Sequence, residues 1–120
     1  VSQPDQPDLG AAPGRRAIDT EYEAKLGGDP NKLMRVEFTR HGRAITNYAV
    51  LLTFKEEAET STVRLYDGAH GVNEMHRYTR THGKRHAEVF HHGTLGEGMR
   101  AATTQIKGAY QSMIEGWQAQ

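Results

Sequence analysis

The sequence predicts an α+β fold in which an antiparallel sheet of about five strands, connected as a meander, is packed by a C-terminal helix. Three observations carry this prediction. From Met34 onward the apolar residues recur every second position; after Thr94 they recur every third or fourth; and no strand, helix, strand alternation of the parallel-sheet kind occurs.

The elements follow in order. Residues 1–16 contain Pro4, Pro7, Pro13, Gly10 and Gly14 without a periodic apolar pattern, which predicts a disordered leader ahead of a single domain over 17–120. Ile18, Tyr22 and Leu26 stand at i, i+4 and i+8, with Asp19 as an N-cap and Gly27-Gly28 as a stop, so a short N-terminal helix is expected over Ala17–Leu26. Met34, Val36 and Phe38 alternate with Arg35, Glu37 and Thr39 as a half-buried strand. His41-Gly42-Arg43 then turns the chain into a second strand, Ala44–Lys55. Tyr48, Val50, Leu52 and Phe54 occupy one of its faces, and Ile45, Ala49 and Leu51 the other, which predicts either a central strand or an interface.

An acidic loop over Glu56–Ser61 leads to a third strand, Thr62–Asp67. Asp67-Gly68-Ala69-His70-Gly71 breaks the pattern as a turn. Glu74–Arg80 and Arg85–His91 complete the sheet, joined by a turn at Thr81–Lys84. Thr94 and Glu97 form a capping box, because each side chain can bond the other's backbone N–H. The stripe Leu95, Met99, Ala102, Ile106, Ala109, Met113 and Trp117 then covers one face of the sheet.

Composition bounds the function. Fifteen basic and fifteen acidic residues cancel, so no global positive field draws in nucleic acid and any anion site must be local. Without cysteine there is no disulfide, thiolate nucleophile or zinc–thiolate site. The longest apolar run, Ala49–Leu52, is too short to cross a bilayer. A cytoplasmic protein without membrane association is expected.

Six of the seven histidines lie between His70 and His92, interleaved with Arg77, Arg80, Lys84, Arg85 and Tyr78. Imidazole titrates near neutrality, so acid–base chemistry would concentrate there. His76, Tyr78 and Arg80 alternate onto one strand face, and His86 and Glu88 could meet them across a hairpin. Three uses fit such a set. The first is metal-independent RNA cleavage, with histidines as acid and base and Arg77 or Lys84 on the phosphorane. The second is metal ligation by His82 and His86 or by His91 and His92. The third is phosphate and base contact without turnover. As plain structure, the same residues would be a solvated sheet face.

The stretch Arg64-Leu65-Tyr66-Asp67-Gly68-Ala69-His70-Gly71, followed by Glu74-Met75-His76-Arg77-Tyr78, a Gly83 turn and an amphipathic helix, resembles an uncharacterised family of short bacterial proteins with a YDxxHG...H motif. More distantly it is similar to the TumE-type toxins of bacterial toxin–antitoxin pairs. That resemblance covers 62–116, implies action on RNA and selects His70 and His76. The resulting expectation is a toxin-like RNA-binding protein or metal-independent ribonuclease. Its catalytic candidates are His70, His76 and His86, and its substrate contacts Arg77, Tyr78 and Lys84; no cofactor and no metal site are expected. The rival expectation is a non-enzymatic module acting as a homodimer or with a small protein partner.

Overall fold

The computed structural model describes residues 18–120 and is α+β, as predicted. Seven strands are present: β1 (Thr20–Leu26), β2 (Asp29–His41), β3 (Ala44–Glu56), β4 (Glu59–Asp67), β5 (Asn73–Thr79), β6 (Gly83–Lys84) and β7 (Glu88–His91). One helix follows, α1 (Leu95–Gln118). All strand pairings are antiparallel in the order β1-β2-β3-β4-β5-β6, and β7 also pairs with β5. The leader expected over 1–16 lies outside the described residues.

The expected N-terminal helix is instead strand β1, a correction with a simple origin. A spacing of four residues is nearly one helical turn but also two strand repeats, so Tyr22 and Leu26 satisfy either period. Gly27 and Gly28, with φ of +61° and +75°, resolve the ambiguity by making a two-residue turn that sets Leu26 opposite Asp29. Arg35 on β2 then bridges Glu21 and Glu23 of β1 at 2.9 and 3.4 Å. The acidic loop also contracts to a tight turn, with Glu57 in the left-handed region and Glu56 opposite Glu59.

The helix packs on one sheet face. Met34, Val36, Tyr48, Val50, Leu52, Tyr66 and Met75 meet Ala102, Ile106, Ile114 and Trp117 in a single core. Both halves of the capping box form: Glu97 N–H donates to Thr94 Oγ1 at 3.1 Å, and Thr94 N–H donates to Glu97 Oε1 at 2.9 Å. At the other end Trp117 meets Phe54 edge-on, with Arg80 4.7 Å from the Trp117 ring centre. Ile45 joins the core, because a bulge between Thr39 and Arg40 shifts its register, while Ala49 and Leu51 remain half-buried on the opposite face.

The last predicted strand, Arg85–His91, is broken in two and its parity is reversed. Phe90 turns inward and makes a T-shaped contact with Tyr66, ring centres 4.8 Å apart, and Val89 turns outward. The larger ring takes the buried side because it removes more apolar surface from water.

Asn73 closes the helix end of the sheet. It is fully buried, accepts the Tyr48 hydroxyl at 2.8 Å, and directs its amide nitrogen to the carbonyls of His91, Gly93 and Thr94 at 3.1–3.4 Å. Gly98 of α1 lies directly against that amide, in space that a β-carbon would fill. Asn73→Ala removes one partner from a buried hydroxyl and three carbonyls, so urea unfolding should show a loss of about 3 kcal/mol with an unchanged denaturant slope. Gly98→Ala should also destabilise, by forcing the helix off the sheet.

Candidate functional site

The face of the sheet opposite α1 is organised by register. Residues directly opposite one another on antiparallel strands project to the same side, so two ranks of side chains cross it. One runs Glu23, Arg35, Leu51, Leu65, His76; the other runs Glu21, Glu37, Ala49, Asp67, Glu74. The two ranks meet at β4 and β5, where Asp67, Glu74 and His76 converge. One ligating atom from each lies within 4.8 Å of the other two.

Asp67 and Glu74 are directly opposed carboxylates, with side chains only 13% and 16% exposed. Like charges in that relation repel, and partial burial strengthens the repulsion. Imidazoles border both. His76 Nε2 stands 3.8 Å from Asp67 Oδ2, and His70 Nδ1 stands 3.0 Å from Glu74 Oε1. The His76 Nδ1 lies 2.8 Å from the carbonyl of Arg85. A carbonyl can only accept, so Nδ1 carries the proton, and in the neutral ring Nε2 presents its lone pair toward the carboxylates. A backbone carbonyl holding the far nitrogen is the usual support of a metal-ligating histidine.

The rim is built by the β4–β5 turn and by β6. His70 is exposed on the turn, and its pKa is raised, first by the hydrogen bond to Glu74 and then by the charge of Glu74. Asp67 adds to the shift, while desolvation and Lys84 oppose it. Lys84 is exposed and opposite Tyr78 on β5. Tyr78 is half-buried, and burial followed by the Asp67 charge raises its pKa, so its hydroxyl remains a donor. Asp67 also lines a cavity of about 190 Å³, with Ala49 and Leu65 beside it and Glu37 and Asn47 among the polar groups.

The fold therefore gathers four of the six sequence-derived candidates: His70, His76, Tyr78 and Lys84. Arg77 is placed on the other face of β5 and pairs with Glu88 at 3.5 Å. His86 is exposed in the connection between β6 and β7, since that segment leaves the sheet where a continuous strand was expected. Asp67 and Glu74 were not singled out by sequence reasoning. Their signal was strand parity: Glu74 precedes His76 and Tyr78 by two and four positions, and a five-residue turn returns the chain opposite Asp67.

An NMR titration of the metal-free protein should place the His70 pKa above the ordinary histidine value, and Glu74→Gln should return it there. Because the folded-state pKa is raised, the His70–Glu74 attraction is complete below the unfolded histidine pKa and is lost as pH rises through the raised one. No family model, curated protein or solved structure matches the chain.

Proposed function

We propose that Asp67, Glu74 and His76 bind a divalent metal ion on the open face of the sheet, and that the ion brings the phosphodiester of RNA to this site. The observation that carries the reading is the opposed pair of shielded carboxylates beside an imidazole whose Nδ1 is engaged by Arg85 O. Ligand atoms about 2.1 Å from a common ion lie about 3 Å apart at right angles, so small side-chain rotations close the present 3.8 Å and 4.8 Å separations onto one centre.

Two carboxylates and one imidazole suit Mn²⁺ or Zn²⁺ and leave coordination positions for water or substrate. RNA as substrate class rests on the similarity to TumE-type toxins. The site's chemistry supports adding a metal to that expectation: a polyanion approaching Asp67 and Glu74 is repelled, and a bound cation reverses the local sign. His70, beside Glu74 on the β4–β5 turn, is then the candidate proton donor to the departing oxygen, and Lys84 faces the phosphate.

Mn²⁺ titration followed by electron paramagnetic resonance is the direct test, because a hard ion discriminates against the exposed histidines. One ion should bind per chain. Asp67→Asn and His76→Gln should each weaken binding by at least about tenfold, while His82→Ala should not. RNA cleavage that requires Mn²⁺ and fails in both variants supports the whole reading. Cleavage undiminished by EDTA assigns the work to the histidines alone, and absence of saturable Mn²⁺ binding overturns the site.

A further inference from the structure

A second site lies on the helix side of the sheet. An open cavity of about 480 Å³ separates the β2–β3 turn from the first turn of α1, and Arg40, Arg43 and Arg100 stand around it. Phe38, Ile45 and Met99 supply its apolar wall. This size falls within the range of small-molecule sites.

The three arginines differ from Arg35, Arg77 and Arg80, and share with Arg64 and Arg85 the lack of a side-chain ion pair among the described residues. Arg35, Arg77 and Arg80 are each tied to a glutamate, whereas among the described residues Arg40, Arg43 and Arg100 form no side-chain ion pair. Asp19 is near Arg40 but accepts its backbone N–H, at 2.8 Å, and the Arg40 guanidinium lies 6.0 Å from the Phe38 ring centre. Glu97, the acidic residue of the first helical turn, is committed to the Thr94 N–H. The helix end is thus capped by its own side chains, and recognition would fall to the guanidiniums.

Charge and shape together select the ligand. Three guanidiniums remain cationic throughout the physiological range, and a monocarboxylate would neutralise only one. A phosphate monoester carries nearly two negative charges and three terminal oxygens that accept forked donors. Inorganic phosphate would leave the wall of Phe38, Ile45 and Met99 uncovered. We propose that this cavity binds an organic phosphate monoester of about mononucleotide size. Its phosphate meets Arg40, Arg43 and Arg100, and its body lies on Phe38, Ile45 and Met99. The site is independent of the metal site proposed above.

Calorimetric titration of the full chain in EDTA tests it, with AMP, UMP and hexyl phosphate as probes and adenosine and inorganic phosphate as half-ligands. At least one ester should saturate a single site, more weakly as salt rises, and at least about tenfold more tightly than either half-ligand. Arg43→Gln and Arg100→Gln, both at exposed positions, should each weaken that ester by about tenfold. Asp67→Asn and Lys107→Gln should leave it unchanged, which separates this site from the Asp67 site. Failure of all three esters to saturate overturns the proposal. So does equal affinity in an Arg43→Gln, Arg100→Gln double variant that unfolds at the wild-type urea midpoint. Inorganic phosphate binding as tightly as every ester removes the organic body from it.

Discussion

The buried Asn73 amide is the interaction on which the arrangement of this protein depends. Its oxygen has one partner, the Tyr48 hydroxyl of β3, and its nitrogen faces three carbonyls at the end of β7 and the start of α1. Strand β5 is thereby joined to the centre of the sheet, to the terminal strand and to the helix cap through one side chain. Only an amide offers an acceptor and a two-hydrogen donor at these positions, so neither aspartate nor leucine could replace both functions. Gly98 completes the arrangement by letting the helix approach the amide.

The same anchoring sets the opposite face. Because Asn73 is held inward at the start of β5, strand alternation sends Glu74, His76 and Tyr78 to the outward face. Glu74 is then brought opposite Asp67, and the sheet has two carboxylates where packing alone favours apolar or complementary pairs. Structure alone gains little from such a pair, and this is the ground of the metal site proposed above. The burial that raises the Tyr48 and Tyr78 pKa values, reinforced in each case by the Asp67 charge, keeps two phenols protonated on either side of that carboxylate's strand.

Much of the fold was legible wherever one physical period dominated. The α1 stripe and its capping box were readable because a 3.6-residue period over 24 residues has no competing interpretation. The two long strands β2 and β3 were readable because Met34, Val36 and Phe38 alternate with Arg35, Glu37 and Thr39, and because Tyr48, Val50, Leu52 and Phe54 recur at every second position. Thr20–Leu26 was misread because its spacing satisfies both periods, and Arg85–His91 because a four-residue strand is too short for alternation to fix its parity. Of the candidate site, His76 and Tyr78 followed from alternation and His70 from its turn. Arg77 was separated from them by the same alternation, and His86 by the break in the strand.

The sequence by itself determined the α+β class, the long strands β2 and β3, the helix cap and the concentration of imidazoles from the β4–β5 turn onward, since each depends on residues close together along the chain. Tertiary structure alone decided that Asp67 lies opposite Glu74, that Arg85 O orients His76, and that Arg40, Arg43 and Arg100 share one cavity. Each of these is a relation across strands or between sheet and helix. Register and bulges set such relations, and a shift of one residue sends a side chain to the other face.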